Sequence, residues 1–301
     1  MKKGEMSVVK SLRGAKFACF CFLAAVLSAS ARASDGNGTL GTWWWRGTDA
    51  DNAEIYSERM DFLAANGVNE IYFCVHPKSA FRDVVGFVRA AGKRGMRVAW
   101  LAGDVSWIFP GNLGFDETWA LYSGYQKKAP EDARFYALHF DVEPHQDSTL
   151  TQERRWQLYA DLVMRVTSKV HRGGEKVEWD IPFWLDQFSV AYNSRTNAPL
   201  LEVVMDNSDC VTLMSYRDTA KAMLDTARGE IDLAASRKCR VVLGAETGQT
   251  GEGDFVSYFE EGRKAMKAEL EIVRKDLSKR NLPAGYGVAV HHIGSWQKLK
   301  D

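Results

Sequence analysis

The chain has 301 residues, 46% of them hydrophobic and 26% charged, with 39 Lys and Arg against 39 Asp and Glu. Both signs are interspersed and no long basic stripe occurs, which excludes the electrostatic footprint of a nucleic-acid-binding protein. Ten tryptophans point instead to a partner met by flat apolar rings.

Lys2, Lys3, Lys10, Arg13 and Lys16 precede an apolar block over residues 17–27 and a small-residue run over 28–33. This is the pattern of a Sec-type signal peptide over residues 1–33, with Ala31 and Ala33 as the cleavage signature and Ser34 as the mature N-terminus. The block is about eleven residues, short of the roughly 20 that a span needs, and no later stretch comes near that length. The expectation is a secreted or periplasmic protein with no stable membrane span after cleavage. Residues 34–301 then make one domain, close to the ~250 residues of an eight-fold α/β barrel. Cys74, Cys210 and Cys239 lie in apolar runs without metal-ligand spacing, and their odd number speaks against a disulfide framework; they read as small core hydrophobes.

Short apolar runs alternate with helical periodicity, as repeated β-α units require. Strands are expected over residues 42–45, 70–75, 97–101, 136–141, 177–182, 210–214, 240–245 and 287–291. Helices are expected over 53–66, 79–94, 152–171, 198–207, 219–236 and 255–279, with Gly67, Gly95, Gly173 and Gly174 where helices should stop. Residues 106–128, rich in aromatics and glycine, read as a long insertion, and 248–254 as a mobile loop after the seventh strand. The fold class is α/β, a single (β/α)8 TIM barrel.

In such a barrel the chemistry sits at the C-terminal ends of the strands. The fourth strand ends Asp141-Val142-Glu143-Pro144-His145, and the i, i+2 spacing puts both acids on one face. Other exits deliver Trp44, Trp45 and Arg46; Asp180, Trp184 and Asp186; Tyr216 and Arg217; Glu246; and His291, His292 and Trp296. Strands four and seven lie across the barrel, so Glu143 and Glu246 can face one another over a cleft. Two carboxyls suffice for glycoside hydrolysis, with retention at a separation of about 5–5.5 Å and inversion at ~6.5–9.5 Å. On this reading Glu143 is the general acid/base and Glu246 the nucleophile. Asp141 raises the Glu143 pKa, Arg46 or Arg217 holds another acid ionised, and Tyr216 binds the nucleophile or a sugar hydroxyl. Trp44, Trp45, Trp184 and Trp296 are the candidate stacking floor; Arg46, His145, Asp180, Asp186, Arg217, His291 and His292 are the candidate polar contacts. The partner is a carbohydrate, and neither a cofactor nor a metal is called for.

Glu143-Pro144 after strand four and Glu246 after strand seven resemble the large clan of retaining glycosidases, which implies acid/base and nucleophile roles for these residues. Val142 stands where that clan usually has Asn. Asp141-Val142-Glu143, Met214-Ser215-Tyr216 and Trp296 are similar to chitinase-like family 18 glycoside hydrolases, which implies that Glu143 protonates the leaving oxygen while Asp141 orients the substrate's N-acetyl group. His139 and Tyr136 occupy places where that family has acids. The set Asp-Val-Glu-Pro, Ile-Pro-Phe-Trp, Met-x-Tyr-Arg-Asp, Gly-x-Glu-Thr and His-His-x-x-Ser-Trp resembles, over nearly the whole mature chain, a group of secreted bacterial barrel proteins. Two rivals use the same residues: a metal-dependent hydrolase with Asp141, Glu143, His145, His291 and His292 as ligands, and a non-catalytic glycan-binding barrel.

Overall fold

A computed structural model describes residues 38–301; the expected signal peptide over 1–33 lies outside the described residues. Eight parallel strands close into a barrel. They are β1 (Thr39–Trp44), β2 (Glu70–Cys74), β3 (Arg97–Ala102), β4 (Leu138–Asp141), β5 (Val177–Pro182), β6 (Cys210–Met214), β7 (Arg240–Glu246) and β8 (Gly287–His291). Each is paired to its sequence neighbours, and β8 closes on β1. The helices are α1 (Ala53–Ala65), α2 (Phe81–Lys93), α3 (Gly114–Lys128), α4 (Gln152–Arg172), α5 (Leu200–Asp206), α6 (Ala220–Thr226), α7 (Arg228–Arg237), α8 (Arg263–Leu277) and α9 (Ile293–Trp296). No helix among the described residues is long and apolar enough to cross a membrane.

Strand side chains alternate, and the two faces differ in chemistry. Outward residues such as Ile71, Phe73, Leu138, Phe140, Val211 and Leu213 join the helices in one apolar core. On α2, Val84, Val85, Phe87, Val88 and Ala91 form the buried stripe, the spacing of an amphipathic helix. A smaller apolar cluster fills part of the barrel interior and includes Trp43, Tyr72, Leu101, Cys210 and Val242. Cys210 and Cys239 are buried and Cys74 half-buried, all with free thiols.

Four segments depart from expectation. Residues 106–128 are no mere insertion: α3 carries Asp116 and Glu117 in its first turn and Lys127 and Lys128 in its last, matching the helix dipole. The helix expected over 219–236 breaks at Ala227, just before the weak helix former Gly229. The helix expected over 255–279 starts only at Arg263, because Ser257 bridges to Glu246 and draws the preceding chain over the barrel mouth. After β5 an antiparallel hairpin, Ser189–Tyr192 with Arg195–Pro199, was not anticipated.

Candidate active site

The strand ends gather an acidic mouth around Tyr216 and His291. Glu246 closes β7 and stands in register with His291 on β8. One Glu246 oxygen, Oε1, accepts the backbone N–H of Thr247 at 2.7 Å and of Gly248 at 2.6 Å; the other, Oε2, lies 2.7 Å from His291 Nδ1. Trp45 Nε1 donates to His291 Nε2 at 3.2 Å. A ring nitrogen that accepts carries no proton, so Nδ1 is the protonated nitrogen and donates to Glu246. Burial pushes the Glu246 pKa up, but the His291 bond and the two backbone donors outweigh it and hold the carboxyl below the usual range.

Glu143 and Asp141 are biased the other way. Burial, then the negative charge of Asp180, pushes Glu143 up. Burial, then Asp180, then Glu143 pushes Asp141 well up. Asp141 Oδ1 is buried and has no hydrogen-bond partner. The charge that raises Glu143 is therefore Asp180 on the adjacent strand, not Asp141 as expected. Burial and the nearby Asp180, Glu246, Asp141 and Glu143 push the Tyr216 hydroxyl well up. The Tyr216 ring stacks on His291 at 5.9 Å. Two glycines make this closeness possible: a Cβ at Gly244 would lie 2.8 Å from the Tyr216 ring, and one at Gly103 only 1.8 Å from the Asp141 carbonyl oxygen.

Beneath the mouth the interior is ionic. Arg240 grips Glu70 with both terminal nitrogens, at 2.8 and 3.0 Å, and Glu178 at 2.5 Å. Arg97 bonds Glu70 at 2.6 Å. His139 reaches Glu178 at 3.1 Å through Nδ1 and Asp180 at 2.8 Å through Nε2. Burial disfavours its charged form, yet Asp180 and Glu178 carry its pKa up to about 10. Trp43 Nε1 donates to the second Asp180 oxygen at 2.8 Å, and the Tyr136 hydroxyl sits between Glu70 and Glu178. His139, Glu178 and Trp43 were not among the expected site residues. For His139 and Glu178 the signal was the same i, i+2 alternation that exposed Asp141 and Glu143, extended one step down β4 and read on β5; for Trp43 it was the alternation along β1.

Of the expected residues, Glu143, Glu246, Asp141, Tyr216, His291 and Trp45 meet at the mouth. Trp44 does not: strand alternation turns it outward, 0% exposed, with its N–H on Asp49 and its ring edge-on to Phe87. Trp296, 2% exposed at the end of α9, packs edge-on to Phe62, so it too offers no ring to a ligand at the mouth. Asp180, 1% exposed with both oxygens taken by His139 and Trp43, has none free for a sugar. Arg46 pairs with Asp49 and not with a mouth acid. Arg217 lies over the rings of Phe183 and Phe255 and donates to the Tyr216 carbonyl. His145 sits edge-on to half-buried Trp184, and Asp186 is exposed. His292 caps α9 by accepting the Gly294 N–H, and with Thr247, Gly248, Ser295 and Lys298 it lines a cavity of about 530 Å³. Among the described residues no three His, Cys, Asp or Glu side chains are grouped so as to hold a metal ion.

No protein-family model and no curated protein matches the sequence. Solved structures do match. A structure of fungal β-1,4-galactanase aligns over 84% of this chain and 89% of its own, with a TM-score of 0.53 and 11% identity. An active-site mutant of the Rhizomucor miehei β-1,3-glucanosyltransferase in complex with laminaritriose aligns over 86% and 88%, at 0.50 and 14%. The exo-β-1,4-mannosidase of Opitutaceae bacterium strain TAV5 aligns over 84% and 51%, at 0.50 and 12%. At these identities the likeness is one of fold, the eight-stranded parallel barrel.

Proposed function

We propose that the protein is a secreted glycoside hydrolase in which Glu143 is the general acid/base and Glu246 the nucleophile. The observation that carries this reading is the opposite bias of two carboxyls at one mouth. Glu246 accepts three hydrogen bonds, which lower its pKa and favour the carboxylate, whereas half-burial and the neighbouring Asp180 raise that of Glu143 and favour its protonated form. A glycosidic oxygen takes the Glu143 proton as its bond to C1 breaks, while a Glu246 oxygen bonds to C1. Water then attacks C1, gives its proton to Glu143 and releases Glu246. Trp45, with an accessible ring at 36% exposure, is the platform for a sugar face.

A panel of polysaccharides and aryl glycosides identifies a cleaved glycan. On it, Glu143→Gln and Glu246→Gln each lower kcat by at least about 10²-fold without moving the urea midpoint. Full activity in Glu143→Gln sinks the proposal, and tight binding of uncleaved glycan favours the non-catalytic barrel. Export is checked by sequencing the mature N-terminus, expected at Ser34.

A second reading is favoured by the unpartnered Asp141 Oδ1, which can receive a substrate amide N–H in substrate-assisted cleavage. In that case activity needs an N-acetyl group, survives Glu246→Gln and is blocked by a thiazoline analogue. A 2-fluoro glycosyl fluoride that labels Glu246 decides for the nucleophile.

A further inference from the structure

Six charged groups below the mouth, five of them buried and Arg97 exposed at its outer end, do not touch the reacting atoms in the reaction as proposed. Arg97, Arg240 and His139 face Glu70, Glu178 and Asp180, three cations for three anions. Asp180 is the last anion of that series and the nearest to the mouth, in register with Asp141 on the neighbouring strand. It is pinned through both oxygens, by His139 Nε2 and by Trp43 Nε1, each at 2.8 Å. At 1% exposure it can neither turn away nor be screened by water.

We infer that Asp180 is a positioning residue of the mouth: its carboxylate, buried, pinned by His139 and Trp43 and in register with Asp141, sets the electrostatic field in which Asp141 and Glu143 act. This rests on the reading of Glu143 as the acid. The physical reason is that neighbouring carboxylates in a poorly screened site do not ionise together. The groups facing Asp180 are His139, Asp141 and Glu143 from β4 and its exit, Tyr159 from α4 and Tyr216 after β6. The tyrosines are neutral, so only His139 offsets the charge, and it also serves Glu178. Glu246 escapes the effect because it has its own three donors.

Asp180→Asn removes the charge while keeping an oxygen for Trp43. The double variant His139→Gln/Asp180→Asn removes one cation and one anion together, leaving Arg97 and Arg240 against Glu70 and Glu178, so it keeps the interior balanced if the single variant does not fold. Carboxyl ¹³C titrations of the mature protein without substrate, assigned with Glu143→Gln, read the result directly. Glu143 is expected to titrate lower than in wild type in both variants. The basic limb of the kcat/KM profile should move down with it, and the acidic limb should stay. Folded variants in which Glu143 and Asp141 titrate as in wild type overturn the inference. So does a wild-type His139 whose ¹⁵N shifts show an unprotonated Nε2 at neutral pH, since the pin would then be missing. If no glycan is cleaved but Glu143 shifts, the inference stands and the glycosidase reading falls. If hydrolysis depends on Glu143 but its titration does not move, the reading stands and the inference falls.

Discussion

The floor and the mouth of this barrel are built from the same residue types and behave in opposite ways. At the floor, Glu70 and Glu178 share Arg240, Arg97 adds a second cation to Glu70, and His139 links Glu178 to Asp180. At the mouth, Asp141 keeps an oxygen without a partner, and Glu143 is raised by burial and by Asp180. Burying a charge is tolerable when it is paired and costly when it is not. The floor therefore spends its charges on structure, while at the mouth burial and the neighbouring acids favour the protonated carboxyl, the form that can give a proton to a substrate's leaving oxygen.

The sharpest way to break that comparison is to uncompensate the floor. Arg240→Met leaves Glu70 and Glu178 without their shared guanidinium, at a site where the three side chains are nearly solvent-free. Removing one partner of a buried pair costs about 3–5 kcal/mol, so the urea midpoint should fall steeply or the protein should fail to fold. A variant as stable as wild type would show that the floor is not held by these pairs. Alkaline pH tests the same region more gently. His139 is raised to about 10, so its contribution is fully present below the unfolded value of ~6.5 and is lost as pH rises toward 10.

At the mouth, removing a charge should stabilise where at the floor it destabilises, although stability falls with rising pH in both. Burial and two neighbouring acids raise Asp141, so the native state holds a proton there that the unfolded chain releases near pH 4. Above that pH, wild-type stability declines with rising pH until Asp141 ionises in the folded protein. Asp141→Asn never carries the charge, and it should gain about 0.5–2 kcal/mol near neutral pH, a gain that vanishes in acid. Urea unfolding at pH 3.5 and pH 7 measures it; a variant less stable than wild type at pH 7 would place Asp141 with the floor.

Much of this was legible in the sequence, and what was not has a physical reason. The eight strands and the meeting of Glu143, Glu246 and Tyr216 follow from hydrophobic alternation and from the polar residues at the strand exits. Trp44 was misread because three consecutive tryptophans hide the alternation: Trp43 and Trp45 reach Asp180 and His291, so Trp44 must face out. Trp296 was misread because a short helix just past a strand exit can turn a side chain into the core as readily as over the mouth. The ionic floor was missed because Glu70, Glu178 and Arg240 are far apart in sequence, and only barrel closure brings them together. Nothing local distinguishes an inward Glu at the start of a strand from a solvated one.

The smallest effect is expected within the mouth itself, at the Trp45–His291–Glu246 relay. Trp45→Phe keeps an aromatic face but removes the N–H that occupies His291 Nε2. The imidazole proton is then free to exchange between the two nitrogens, and Glu246 loses its Nδ1 donor for part of the time. One hydrogen bond is worth about 0.5–1.5 kcal/mol net, and Trp45 is 36% exposed, so the loss in kcat should stay within about tenfold. Because the two backbone donors to Glu246 remain, its pKa should rise only slightly, moving the acidic limb of the pH profile upward and leaving the basic limb alone. A rise in KM with an unmoved acidic limb would mean that Trp45 acts as a sugar platform only, and that the backbone N–H groups of Thr247 and Gly248 suffice to keep Glu246 ionised.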